Sequence, residues 1–191
     1  TWEELIAKHV FDALRLKTAG FGPQASLGRV DAPLGHTMLP DGTLKPMLAG
    51  PNGDNPVVIG PAGTVHLSVL DFAAWAGWNA GEGRRGPALI HAETLRKLHT
   101  KIIDMPPRPD AKPGTPASGG YGLGWGTVTK PFSPEPFVFH GGSNQMNLAI
   151  VMLQPQSDFG MVLMTNRSGA PADQVLNAAA EVLYKQFGPA H

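Results

Sequence analysis

The residues best suited to chemistry sit together at Phe137-Val138-Phe139-His140-Gly141-Gly142-Ser143-Asn144. An apolar run ends there on a titratable ring, two glycines, a hydroxyl and a carboxamide. The pattern predicts a β-strand that closes on a histidine. Glycine has no Cβ, so a substrate can lie against bare backbone at Gly141 and Gly142. Histidine adds a titratable group at the same spot. Out of context, a histidine at a strand end is also an ordinary surface or capping residue. The remaining histidines, His9, His36, His66, His91, His99 and His191, show no HExxH or similar ligand spacing, so no metal site and no cofactor are expected. Gly122-Leu123-Gly124-Trp125-Gly126 lacks the helix and lysine of a phosphate loop.

Several elements must position that strand. Thr1 and Glu4 have capping-box spacing, and Leu5, Ile6, His9, Val10 and Leu14 trace a helical face over residues 1–14. A first residue that already caps a helix is expected in a piece cut from a longer chain. Between Gly20 and Gly63, nine glycines and seven prolines exclude a long helix. That segment is expected to be irregular, with short strands near Ser26–Val30 and Val57–Ile59. Ser68-Val69-Leu70-Asp71 reads as a second capping box, opening a helix through Trp75 and Trp78 that ends at Gly81. A shorter helix is expected at Ala92–His99, and a mobile loop at Asp104–Gly120. Tyr121–Thr129, Phe137–Gly141, Asn147–Leu153 and Phe159–Thr165 read as strands, with residues 154–158 as a hairpin connection. The last two are nearly continuously apolar, which predicts cover on both faces of the sheet. A final helix from about Pro171 carries Val175, Leu176, Ala179, Leu183 and Phe187 on one stripe and stops at Gly188-Pro189. Trp75, Trp78 and the seven methionines read as core.

Composition narrows the function classes. Fifteen Lys+Arg balance fifteen Asp+Glu, so the chain lacks the basic surface that nucleic acid requires. No apolar run approaches the roughly 20 residues that span a bilayer. With no cysteine there is neither a disulfide nor a thiolate metal site. At 191 residues, one unit with a sizeable core is possible. It reads as a helical and irregular part, 1–118, followed by strands and a final helix, 119–191.

In order along the chain, these segments resemble the serine β-lactamase and penicillin-binding-protein-like hydrolases, in the class C β-lactamase and esterase branch. Thr1-Trp2-Glu3-Glu4-Leu5 through Leu14, Pro61-Ala62-Gly63 through Asp71 to Trp75, Tyr121-Gly122-Leu123-Gly124-Trp125, His140-Gly141-Gly142-Ser143 and Met164-Thr165-Asn166-Arg167 carry the likeness. His140-Gly141-Gly142 falls where the family has K-T-G, H-T-G or H-G-G. The resemblance implies an α+β fold, with an antiparallel sheet packed with helices and the family's N-terminal part missing.

The resemblance also implies acyl transfer to a serine. The Ser143 N–H would be one oxyanion-hole donor, and His140 would stand in place of the K-T-G lysine. Gly141, Gly142, Asn144 and Tyr121 would line the substrate. Gly141 replaces a hydroxyl residue that often meets a substrate carboxylate, so the substrate can be a β-lactam, a peptide or an ester. The family's S-x-x-K and Y-x-N motifs are absent. No serine here has lysine three residues on, and neither Tyr121 nor Tyr184 has asparagine two residues on. The chain alone is therefore expected to be inactive. A non-catalytic binding module on the same fold is the alternative. The family pairs N-terminal strands beside the last one, so Phe159–Thr165 is expected to recruit either the missing part or a second copy. The resemblance favours a periplasmic or secreted location over the cytoplasm.

Overall fold

The computed structural model describes residues 1–107, 112 and 119–189. Much of the expected loop at Asp104–Gly120 lies outside the described residues. The fold is α+β, with antiparallel sheets packed with helices. Six strands form the main sheet: β5 (Ile103–Met105), β6 (Gly119–Tyr121), β7 (Gly126–Val128), β8 (Phe137–Ser143), β9 (Leu148–Gln154) and β10 (Phe159–Thr165). Their spatial order is β10-β9-β8-β7-β6-β5, so every strand lies beside its neighbours in sequence. Two small pairs accompany it: β1 (Gly20–Phe21) with β4 (Val65–His66), and β2 (Gly35–Met38) with β3 (Leu44–Met47). The helices are α1 (Trp2–Ile6), α2 (Asp12–Leu14), α3 (Gly60–Gly63), α4 (Val69–Ala80), α5 (Ala92–His99) and α6 (Ala170–Phe187).

The chain forms two compact units. The first comprises Thr1–Trp75, Gly141–Ile150 and Val162–Ala180; the second comprises Ala76–His140, Val151–Met161 and the chain from Glu181 onward.

In the first unit, the Thr1–Glu4 capping box forms as expected. A π-helical turn at Ala7–Phe11 then joins α1 to α2. The extra residue per turn rotates the buried face, so Phe11 is buried while Leu5 and His9 are exposed. Only half of the second expected capping box forms. Ser68 Oγ accepts from the Asp71 N–H (3.3 Å), but the Asp71 carboxylate takes the N–H and hydroxyl of Thr18, each at 2.6 Å.

The expected strands at Ser26–Val30 and Val57–Ile59 do not form. The Ser26 N–H donates to Asp31 Oδ1 (2.8 Å), the Arg29 N–H to Ser26 O (2.9 Å), and Gly28 has φ +68. Local hydrogen bonds of this kind compete with a ladder. Val57–Ile59 is a 3₁₀ turn running into α3, where Pro61 suits a first helical turn and has no N–H for a sheet. The β2–β3 hairpin forms instead across Pro40-Asp41-Gly42. Its Leu39 N–H donates to Thr43 O at 2.8 Å, and Asp41 Oδ1 accepts from the Thr43 N–H at 2.9 Å.

The second unit is built on aromatic packing. Tyr184 lies 5.4 Å from Phe137, 5.6 Å from Phe132 and 5.6 Å from Phe159, centroid to centroid. Phe137 is fully buried. Full burial of a side chain of that size stabilises by about 1.5–3 kcal/mol. Ser133 closes the cluster's polar edge: its hydroxyl donates to Glu135 O (2.8 Å), lies 3.0 Å from Tyr184 Oη, and accepts from Gln154 Nε2 (2.9 Å). Tyr184 is the α6 residue that this cluster buries; along α6 the buried residues are Ala172, Leu176, Ala180 and Tyr184, while Val175 and Phe187 are exposed. Strand β9 is buried along most of its length, whereas β10 alternates, so full cover on both faces applies to β9 alone. Trp78 is buried as core; Trp75 is half-buried, and Met38 and Met164 are exposed.

Tyr121–Thr129 is a hairpin rather than one strand. Gly122 and Gly124 turn the chain, with Gly124 at φ +84 and the Gly122 N–H donating to Trp125 O (2.7 Å). A Cβ on Gly122 would lie 2.4 Å from Thr100 O, so glycine lets this turn close on the end of α5.

The same contact buries His99, which is 8% exposed and packed edge-on against Trp125 at 5.0 Å. Neither ring nitrogen has a hydrogen-bond partner among the described residues. Burial holds its pKa below the usual 6.5, opposed by the Glu82 carboxylate. As pH falls below 6.5 the unfolded chain therefore binds a proton that the folded chain refuses. Stability is lost on acidification, with a limiting slope of about 1.4 kcal/mol per pH unit. Urea denaturation between pH 7.5 and 5 should show stability falling as pH drops below 6.5, and His99→Leu should lessen that fall. Equal slopes in both proteins would exclude His99 as the cause.

Candidate functional site

The residues singled out in the sequence lie on or beside β8. Its pairing with β7 covers only Phe137–Phe139, through Phe139↔Gly126, Val138↔Thr127 and Phe137↔Val128. Beyond Phe139 the strand runs past the end of β7, and His140, Gly141, Gly142 and Ser143 are all exposed. A Cβ on Gly142 would meet nothing within 4 Å, and one on Gly141 would meet only Ala149 O at 3.8 Å and Ile150 Cγ1 at 4.0 Å. The protein's own packing therefore does not demand glycine at either position. What the glycines leave is open backbone on a strand edge.

The His140 side chain makes no hydrogen bond or ion pair among the described residues. Tyr121 aligns through Gly126 with Phe139, not with His140. Directly opposed residues share a face and successive residues alternate, so Tyr121 and His140 point to opposite faces of the sheet. The Phe139 ring occupies the space over Gly126, 2.5 Å from where a Cβ would stand. The expected lining role of Tyr121 thus lacks proximity on the His140 face.

Ser143 and Asn144 spend their side chains on the turn that follows. Ser143 Oγ accepts from the Gln145 N–H (3.0 Å). Asn144 Oδ1 accepts from the N–H groups of Met146 (3.1 Å) and Asn147 (2.8 Å) and from Asn147 Nδ2 (3.2 Å). Asn144 Nδ2 donates to Asp54 Oδ1 (2.9 Å). Ser143 Oγ thus serves the turn as an acceptor, and Asn144 acts as a brace. Asp54 was not legible as part of this region, being 90 residues away in sequence. After β10, the Ser168 hydroxyl donates to Gln145 O. His36 Nδ1 lies 3.0 Å from Asn166 O, beside a parallel bridge between His36 and Arg167. Among the described residues no three His, Asp or Glu side chains converge as a metal would require. No described helix is long and apolar enough to cross a membrane.

No curated protein sequence matches the chain. Among solved structures, it is similar to an octameric penicillin-binding protein homologue from Pyrococcus abyssi, at 24% identity and a TM-score of 0.73 over 97% of this chain and 38% of that one. It is also similar to a penicillin-binding protein from Bacillus halodurans, at 17% identity and 0.65 over 94% and 49%. A D-stereospecific amidohydrolase from Streptomyces sp. matches at 15% identity and 0.67 over 99% and 49%. At these identities the likeness is one of fold, and this chain spans less than half the length of each. The Beta-lactamase family profile matches residues 1–185. With nearly its whole length matched in sequence, and the fold matched independently, the chain belongs to the β-lactamase family.

Proposed function

We propose that this chain supplies the substrate edge and one oxyanion donor of a serine acyl-transfer site that hydrolyses an amide, β-lactam or ester. The carrying observation is the exposed run from His140 to Ser143, which outreaches β7 and has open space over Gly142. A substrate laid along it meets free main-chain groups, as in strand addition. In the reaction, a serine oxygen bonds to the substrate carbonyl carbon and the carbonyl oxygen becomes negative. The Ser143 N–H donates a hydrogen bond to that oxygen and stabilises its charge, a contribution of about 3 kcal/mol for one such donor. The carbon–nitrogen or carbon–oxygen bond then breaks, the leaving group receives the proton that the serine lost, and water releases the acyl group. His140 provides a proton-carrying or cationic group beside the same edge. The nucleophilic serine comes from sequence outside these 191 residues, because S-x-x-K and Y-x-N do not occur here. That same lack favours the second reading, a binding module that keeps the edge without chemistry. Hydrolysis assays on the chain with and without a nucleophile-bearing segment separate the two.

The partner is proposed on similar grounds. Strand β10 is the outer strand of its sheet, proline-free, with Met161-Val162-Leu163-Met164 in succession and Met164 exposed. An apolar edge without charge invites pairing. On α6, Val175, Val182 and Phe187 are exposed as well. Residues 1–191 alone should therefore form a dimer or larger assembly, or capture the segment that bears the nucleophile. Light scattering behind size exclusion at micromolar concentration checks this; a well-behaved 20 kDa monomer would refute it.

A further inference from the structure

The geometry points to Asp54 as the residue that fixes the turn after β8 and, through it, the direction of the Ser143 N–H; its consequence for catalysis rests on the acyl-transfer reading above. The turn does not hold itself. Gln145 is a non-glycine residue at φ +69, a left-handed conformation that persists only where its surroundings impose it. Its N–H is tied to Ser143 Oγ and its carbonyl to the Ser168 hydroxyl, so the residue two after the proposed oxyanion donor is gripped on both sides.

Asn144 decides which way the turn faces. A carboxamide has one accepting oxygen and one donating NH₂ group. Three N–H donors, from Met146 and Asn147, converge on that oxygen, so the NH₂ must face an acceptor on the other side. Asp54 Oδ1 is that acceptor, at 2.9 Å. A charged acceptor makes a hydrogen bond roughly twice as strong as a neutral one, and it rejects the flipped carboxamide because that would set oxygen against oxygen.

The loop that presents Asp54 is itself closely folded. The Gly53 N–H donates to Gly50 O at 2.9 Å, and a Cβ on Gly53 would lie 2.7 Å from Leu48 O. The next residue, Asn55, donates from Nδ2 to Gly63 O at 2.8 Å. Behind the turn, Gln24 Nε2 donates to Asn147 Oδ1 at 3.0 Å. The backbone of β2 presses close as well: a Cβ on Gly35 would stand 2.8 Å from both Asn147 Nδ2 and Met146 Cβ. Asp54 is thus the charged member of a brace whose other members are neutral. Its removal leaves the half-buried Asn144 NH₂ without a partner and frees the carboxamide to rotate.

The test uses the whole protein carrying this sequence, with Asp54→Ala, Asp54→Asn, Asn144→Ala and the Asp54→Ala/Asn144→Ala double variant. Amide hydrogen exchange over residues 143–147 is read by mass spectrometry, together with kcat and KM for a p-nitrophenyl ester. Asp54→Ala should speed exchange over 143–147 by about tenfold or more while leaving β5–β7 unchanged. The kcat should fall by roughly 10- to 100-fold with KM within about twofold, as expected for a donor misaligned only for the transition state. Asp54→Asn, which keeps an accepting oxygen, should lie close to the parent in exchange. The double variant should be no worse than the worse single one. If Asp54→Ala does not fold, Asn144→Ala tests the same contact from its other side. Unchanged exchange over 143–147 in the folded variants, or additive effects of the two alanines, would overturn the inference. A parent protein that hydrolyses nothing would refute the acyl-transfer reading, and the exchange results would still decide whether Asp54 holds the turn.

Discussion

His140→Ala in the whole protein is expected to lower kcat/KM for an ester or β-lactam substrate by roughly 10- to 1000-fold, or about 1.4–4 kcal/mol of transition-state stabilisation. The side chain lies exposed on β8, immediately before the open glycines, with no structural partner among the described residues. Its loss should therefore cost little stability, since surface substitutions away from specific contacts usually fall within about 0.5 kcal/mol. The expected signature is a damaged rate with an unchanged melting temperature. His140→Lys is the informative companion, because a permanent cation would rescue a charge role but not a proton-transfer role near neutral pH. A kcat/KM that matches the parent at every pH from 5 to 9 would place His140 outside the mechanism.

Much of the frame was legible because period and punctuation agree in the last third of the chain. Phe159–Thr165 forms the strand its apolar run predicts, and Gly188-Pro189 lies just beyond the end of α6. The errors have local causes. Leu39-Pro40-Asp41-Gly42-Thr43 is a strong turn signal between two short runs, yet the density of breakers from Gly20 to Gly63 masked it, and the hairpin was missed. In sequence Tyr121–Thr129 reads as a single strand because its apolar residues outweigh Gly122 and Gly124, the two positions at which the chain reverses. On α6 the aliphatic pattern points to a neighbouring stripe, whereas the buried one includes Tyr184, whose hydroxyl finds Ser133 and whose ring joins three phenylalanines.

At the site, the strand and its glycines could be read from residue type alone, and the openness over Gly142 is the property that their spacing suggested. The work of Asn144 could not. Asparagine two or three residues before backbone N–H groups is a turn former, and that local role competes with a ligand for the same atoms. Asp54 joins the turn only through tertiary folding, and no spacing in the sequence announces it. The face on which Tyr121 points depends on strand register, which the hairpin at Gly122–Trp125 sets.

On the reading proposed above, these 191 residues hold the substrate edge of an acyl-transfer site whose nucleophile lies elsewhere. Hydrolysis of nitrocefin and p-nitrophenyl esters by purified residues 1–191 tests it most directly, first alone and then with a segment bearing S-x-x-K and Y-x-N. Without an activated serine, the oxyanion donor proposed at Ser143 would have no tetrahedral oxygen to stabilise, so the chain alone should give only the buffer rate. Restoring the serine should restore saturable turnover, and His140→Ala should depress that turnover. Saturable hydrolysis by residues 1–191 alone, persisting through further purification, would contradict the account.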